Sequence, residues 1–269
     1  MTSSSAIASE KADKEYKLQL DKRKNVPCNQ FFNMRNRFYS FISVLAFAVL
    51  YFQTAITVFI TLPFAYLHLR KTVKFFLLLW SKSVFWILGK RLRIYGNENY
   101  SNKKRYIIIA NHASLFDIMA IMSFCPDAAW FGHERLMKIP VFNQILKMID
   151  YMPTMEPTVK NTKLMLDEII QKLKHHTIAI FPEGTRTLTG NMNDFFRGFV
   201  YVLKASDADI LPVTLNGFYS LKPKNRFYIN FSAQISIVIN KPINAMDLKI
   251  KADNDIITEV KKIIESGKN

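Results

Sequence analysis

The chain has 269 residues, 49% of them hydrophobic and 22 of them phenylalanine, enough to bury a sizeable core as one large domain or one domain plus an appendage. Lys and Arg number 37 against 21 Asp and Glu, a formal net charge of +16 that calls for an anionic partner: nucleic acid, an anionic membrane surface or a phosphorylated substrate. No zinc-finger, homeodomain-like or aromatic RNA-binding signature accompanies the charge, whereas a long apolar segment does, so membrane and phosphate are favoured over nucleic acid. Cys28 and Cys125 lie far apart, which argues against a disulfide framework and a cysteine metal site. His133-Glu134 begins the HExxH pattern, but Met137 stands where the second histidine belongs, and the zinc-hydrolase reading fails. No metal site is expected.

Residues 1–37 open with Ser, Thr and Ala and then turn basic, from Lys11 to Arg37. This is poor material for a core and reads as a mobile tail with a helical stretch in its middle. Its charged region is too long for a secretory signal, and beside an apolar segment it reads as a juxtamembrane basic stretch attracted to anionic lipids.

Between Arg37 and Arg70 there is no charged residue. About 20 apolar residues cross a bilayer, so Phe38 to Leu69 is long enough to span with tilt or to bend within it. A second apolar piece, Phe75 to Leu88, is broken by Lys82. Basic residues flank the first segment on both sides and leave its orientation open. A membrane-embedded hairpin over 38–89, returning the chain to its starting side, is preferred to a single span; two helices buried in a soluble core is the plain alternative.

From Leu92 on, strands and helices alternate. Strands are expected at 92–96, 106–110, 128–132, 151–155, 177–181, 210–215, 227–231 and 235–239. Helices are expected at 115–124, 140–148, 161–175, 196–205 and 255–264. That alternation predicts an α/β domain over 90–269, with a largely parallel twisted sheet flanked by helices. Ile107-Ile108-Ile109-Ala110 is a fully apolar run ended by Asn111-His112, which puts His112 just past a strand's carboxyl end, where α/β sheets bind ligands. Thr177 to Phe181 repeats the design and runs into Pro182-Glu183-Gly184-Thr185-Arg186.

Asp117 lies five positions after His112, across a loop entering a helix. Two readings fit that spacing equally. A carboxylate that accepts from one imidazole nitrogen fixes the tautomer and leaves the other as a base; alternatively Ser114-Leu115-Phe116-Asp117 is a capping box that holds the helix start. Ser114 as a nucleophile lacks a GxSxG elbow. In the second cluster Gly184 permits close backbone approach, Arg186 offers a fork suited to phosphate, Thr185 a hydroxyl, and Glu183 could orient Arg186 or accept from a substrate hydroxyl. A surface turn with an ion pair is the competing reading of so short a motif.

Asn-His-x4-Asp at 111–117, Phe-Pro-Glu-Gly-Thr-Arg at 181–186 and Leu-Pro-Val at 211–213 occur in that order and together resemble the glycerolipid acyltransferase family, in particular the 1-acyl-glycerol-3-phosphate acyltransferases. The resemblance covers roughly residues 90 to 220. It implies an α/β domain with membrane-associated N-terminal helices, with His112 as general base on an acceptor hydroxyl and Asp117 as its orienter. It further implies that Glu183, Gly184, Thr185 and Arg186 bind the acceptor's phosphate, with Asn111 also in the substrate-binding set and Pro212 on the acyl-donor side.

The expected reaction is direct transfer of a fatty acyl group from acyl-CoA or acyl-carrier protein to lysophosphatidic acid, giving phosphatidic acid. It needs neither acyl-enzyme nor cofactor, and takes place on the cytoplasmic face of a membrane. Two departures bear on the acceptor. His133 stands where relatives commonly carry lysine, and Met155-Glu156 stands where they carry Asp-Arg. Another acceptor (a different lysophospholipid, glycerol-3-phosphate or a lyso-aminolipid) is the alternative reaction, and a catalytically silent membrane tether the alternative class.

Overall fold

The structure is a computed structural model that describes residues 34–140, 142–148, 151–154 and 159–268. Most of the basic tail, Cys28, Met155 and Glu156 lie outside the described residues, as does the side chain of His133.

Helix α1 (Met34–Tyr66) and helix α2 (Arg70–Ile87) form an antiparallel hairpin turned at His68, the one non-glycine residue with a positive φ among those described. On α1, Ser43, Phe47, Leu50, Thr54, Val58 and Thr61 recur at helical spacing and face inward. The hydroxyls in this apolar stripe are satisfied within the helix: Ser43 donates to the Tyr39 carbonyl, Thr54 to Leu50 and Thr61 to Thr57. The Trp80 indole of α2 donates to Thr54 Oγ1 at 3.0 Å, and Phe64 stacks on Phe76. The opposite face of α1 is bare: Phe38, Phe41, Phe52, Phe59 and Tyr66 are all exposed. Among the described residues α1 is the one helix long and apolar enough to cross a membrane.

The expected α/β domain follows. Strands β1 (Arg93–Tyr95), β2 (Tyr106–Ala110), β5 (Ile178–Ile180), β6 (Asp209–Asn216) and β7 (Ser236–Ile239) build a five-stranded sheet in the order β1-β7-β6-β2-β5. β2, β5 and β6 are parallel, with Ile109 opposite both Ile180 and Pro212, while β7 runs antiparallel to β6. A separate parallel pair joins β3 (Phe131–His133) to β4 (Met152–Thr154). Between the strands lie α3 (Asp117–Met122), α4 (Phe142–Met148), α5 (Val159–Leu173), α6 (Gly198–Lys204) and α7 (Phe218–Leu221), and α8 (Ala245–Lys249) and α9 (Asp253–Ser266) follow β7.

Strand alternation divides the core into two layers. Ile108, Ala110, Leu211 and Val213 face α2, α3 and α7, where Phe85 meets Phe116 and Phe218. Ile107, Ile109, Ile178 and Ile210 face α5, α6 and α9 through Ile169, Phe199, Val202, Ile256 and Val260. Every side chain of β2 is therefore buried, the pattern of a central parallel strand.

One expected strand is absent. Residues 227–231 form no strand, because their backbone donors go elsewhere: Ile229 N–H to Ser43 Oγ on α1 and Asn230 N–H to the Leu221 carbonyl. With Phe227 against Phe47 and Tyr228 and Phe231 against Tyr39, the segment is the cradle of the hairpin.

Candidate active site

Two loops leave the carboxyl ends of the adjacent parallel strands β2 and β5, and they are fastened to each other through His112. Its backbone N–H donates to Glu183 Oε1 at 2.7 Å, and its carbonyl accepts from Thr187 N–H at 2.9 Å. Its ring lies on Phe181, 4.1 Å between centroids and 11° from parallel, and Phe181 in turn stacks on Trp130. A ring held by backbone on one side and by an aromatic plane on the other has few orientations left.

Asp117 fixes the remaining one. Its side chain is wholly buried, and Oδ2 accepts three hydrogen bonds, from His112 Nδ1 at 2.8 Å, Ala113 N–H at 2.6 Å and Ser114 N–H at 2.8 Å. The bond from Ser114 N–H is one half of a capping box. In place of the reciprocal bond from Asp117 N–H, Ser114 Oγ accepts from Phe116 N–H at 3.4 Å while donating to the Lys222 carbonyl. Asp117 thus serves as both loop cap and imidazole orienter, with the same oxygen. No described residue bonds His112 Nε2, and the ring keeps 18% of its surface exposed, which suits it to take a proton from a ligand.

Glu183 does not orient Arg186. It is fully buried, its oxygens accept from the backbone amides of His112 and Asn193 (Oε2, 2.8 Å), and it makes no bond to Arg186. Burial pushes its carboxyl above the ordinary range, against the pull of those two amides. It is the staple between the two loops.

Asn111 is likewise consumed. Its amide donates to the Leu215 carbonyl and accepts from the Leu215 N–H, tying the end of β2 to β6, so it is a clamp rather than a substrate contact. Pro212 is buried inside β6, where its carbonyl accepts from Asn240 N–H, and it presents no surface to an acyl donor.

Gly184, Thr185 and Arg186 remain open. Gly184 adopts φ +65°, and a Cβ there would come within 2.9 Å of the Phe196 ring, so both conformation and space require glycine. The Arg186 guanidinium is half-buried, and burial lowers its pKa while the Asp117 charge opposes that. Thr187 Oγ1 accepts from Thr189 and Gly190 N–H and sets the turn beyond.

Two further groups reach this site without having been singled out in the sequence. Phe181 stood inside a quoted motif but as an apolar strand residue. Lys222, Lys224 and Arg226 come from beyond β6; the charge run Lys-Pro-Lys-Asn-Arg was the available signal.

A buried carboxylate hydrogen-bonded to a histidine at the mouth of a parallel sheet, beside a loop bearing a half-buried arginine, is an arrangement able to move a proton next to an anionic ligand. Residues 91–216, which carry it, match the family model described as Acyltransferase. The chain is 29% identical over 171 residues to a 1-acyl-sn-glycerol-3-phosphate acyltransferase of Cocos nucifera, covering 62% of this chain and 54% of that protein. It is 28% identical over 162 residues to one of Borreliella burgdorferi, covering 59% and 63%. These alignments span between half and two thirds of the curated relatives' own length. The crystal structure of the 1-acyl-sn-glycerophosphate (LPA) acyltransferase PlsC from Thermotoga maritima superposes with a TM-score of 0.75 at 25% identity, covering 85% of this chain and 95% of that one.

Proposed function

We propose that this protein is a membrane-bound acyltransferase that moves a fatty acyl group from a thioester, acyl-CoA or acyl-carrier protein, to the free hydroxyl of lysophosphatidic acid, forming phosphatidic acid. The observation that carries the reading is the 2.8 Å bond from His112 Nδ1 to a buried Asp117, with Nε2 unengaged beside a phosphate-suited loop. The names of the relatives support the same chemistry.

His112 Nε2 takes the proton of the acceptor hydroxyl as its oxygen attacks the thioester carbonyl. The tetrahedral intermediate collapses with rupture of the C–S bond, and the imidazolium returns the proton to the leaving thiolate. Asp117 stabilises the imidazolium and holds the tautomer. Stacking on Phe181 keeps Nε2 aimed at the hydroxyl while Gly184, Thr185 and Arg186 hold the acceptor's phosphate.

The hairpin brings this site to the lipid. Along one side α1 is fastened to the domain, from Ser43 on Ile229 to Tyr51 on the Pro140 carbonyl, while its other side exposes a row of aromatic residues. Such a helix is suited to lie in one leaflet with its apolar face in the acyl region. The donor is cytosolic, so the catalytic domain works from the cytoplasmic face.

The test is acyl transfer by purified protein against a panel of acceptors: lysophosphatidic acid, other lysophospholipids, glycerol-3-phosphate and a lyso-aminolipid, with each donor type. His112→Ala should abolish transfer while the protein still folds; turnover retained in that variant ends the assignment. A preference for an acceptor other than lysophosphatidic acid replaces the substrate and keeps the chemistry. Liposome binding without thioester consumption by the wild type would make the chain a tether.

A further inference from the structure

The cations around Arg186 lack carboxylate partners. Among the described residues none is hydrogen-bonded or ion-paired to the Arg186 guanidinium. The Asp117 charge acts on Arg186 without an ion pair between them, its Oδ2 being held by three N–H groups, and the oxygens of Glu183 accept from two backbone amides. Yet three more cations gather here on the segment after α7. Lys222 is buried with Nζ on the carbonyls of Pro223 and Arg226, and its pKa falls to about 8 through burial, with Arg186 and Arg226 adding repulsion. Arg226 spends its fork on the carbonyls of Ser220, Leu221 and Tyr228. Lys224 is different: it is exposed, and its Nζ reaches the motif loop, 3.4 Å from Thr185 Oγ1.

The segment that carries Lys224 is fixed to both loops of the site. Ser114 Oγ donates to the Lys222 carbonyl at 2.8 Å, and Tyr219 Oη and Asn225 Nδ2 both donate to the Leu188 carbonyl. A half-buried guanidinium without a counterion carries a desolvation cost that an anionic ligand relieves. An ammonium held on the hydroxyl of Thr185, the residue before Arg186, adds a point charge to the arginine's fork.

We propose that Lys224, held at the Thr185 hydroxyl, is the second cation of the acceptor-phosphate subsite alongside Arg186, and that the pair selects a phosphomonoester dianion over a phosphodiester. This rests on the acyl-transfer reading above. Two unpaired cations match the double charge of a monoester, whereas a diester offers one charge and a bulkier head group that Lys224 would crowd.

Full-length protein in detergent micelles, with Lys224→Ala, Lys224→Arg and Arg186→Ala variants, tests this. Lys224 lies on the surface and is remote from the core, so its variants should fold. At saturating acyl donor, Lys224→Ala should raise the KM for lysophosphatidic acid about tenfold with kcat within about twofold. Lys224→Arg should recover most of the loss, and the KM for the donor should not move. Discrimination against lysophosphatidylglycerol should shrink by a similar factor. Direct binding of lysophosphatidic acid to the same variants gives a readout that needs no turnover. Unchanged acceptor KM and binding in Lys224→Ala overturn the subsite even if the protein is the expected enzyme, and a rise in donor KM instead does so equally. If the wild type transfers no acyl group, the acyl-transfer reading fails by itself, and loss of lysophosphatidic acid binding in Lys224→Ala still decides for the subsite.

Discussion

The two halves of this site are built on opposite electrostatic plans. Around His112 every charge has a partner: Asp117 Oδ2 takes three N–H donors and Glu183 two, and the imidazole is clamped by ring, backbone and carboxylate. Around Arg186 positive charge accumulates with no ion-paired carboxylate among the described residues, the Asp117 charge acting on the guanidinium without a hydrogen bond to it. A base must be set before the substrate arrives, since a misplaced tautomer costs rate directly. A binding site for an anion, by contrast, keeps its cations waiting, because a resident counterion would compete with the ligand. The first half should respond to mutation in kcat and the second in acceptor KM.

The largest test of that contrast is Asp117→Asn. It preserves the shape and one acceptor oxygen but removes the charge that stabilises an imidazolium. We expect kcat to fall by about 10²- to 10⁴-fold with little change in either KM, as steady-state acyl-transfer assays would read. A loss under about fivefold would reduce Asp117 to a loop cap. Glu183→Gln tests whether the two halves are mechanically joined. One of its two accepted bonds is replaced by an amide facing an N–H, a loss of about 1–3 kcal/mol. For a chain of this size that lowers Tm by several degrees, about 2–4 °C for each kcal/mol. A fall in kcat with acceptor KM unmoved would assign the staple to the base; a change in acceptor KM alone would assign it to the phosphate side.

The smallest effect is one of pH, on the cationic half. Lys222 has its pKa lowered from 10.5 to about 8, so the folded protein releases this proton before the unfolded chain does. The unfolded state then binds more protons between about pH 8 and 10.5, and over that window stability rises with pH. The same deprotonation removes a charge beside Arg186. The KM for lysophosphatidic acid should therefore climb about threefold from pH 7 to 9.5 in the wild type and stay flat in Lys222→Met. Parallel profiles in the two proteins would show that Lys222 does not reach the ligand.

Much of this architecture was legible in advance. The run from Tyr106 to Ala110 is apolar at every position because both faces of β2 are covered, and the charge-free stretch after Arg37 could form only an apolar helix. His112 and Asp117 were readable as a candidate pair, but their spacing fitted a capping box equally well, and the fold shows Asp117 Oδ2 bonded both to the imidazole and to the Ser114 N–H. The roles of Asn111, Glu183 and Pro212 were not readable, and their motifs misdirected: the same residue types bind a ligand or bind backbone depending on what folds against them. Asn111 meets Leu215, 104 residues away, and Glu183 meets His112, 71 away. The strand expected at 227–231 failed for the same reason, since its Ile229 donor is taken by a helix residue 186 positions earlier and its Asn230 donor by the Leu221 carbonyl.

What the sequence determined by itself was thus what local spacing can assemble: a buried strand ending in a histidine, a carboxylate five positions on, a glycine turn bearing an arginine, and an apolar hairpin. The tertiary structure alone decided which polar groups are spent on holding the loops together and which are left free. It was the parallel pairing of β2 with β5 and β6 that occupied Asn111 and Glu183, and the packing of the segment after α7 that brought Lys224 to Thr185. Hydrogen-bond capacity is finite, and only the fold shows where it has been used.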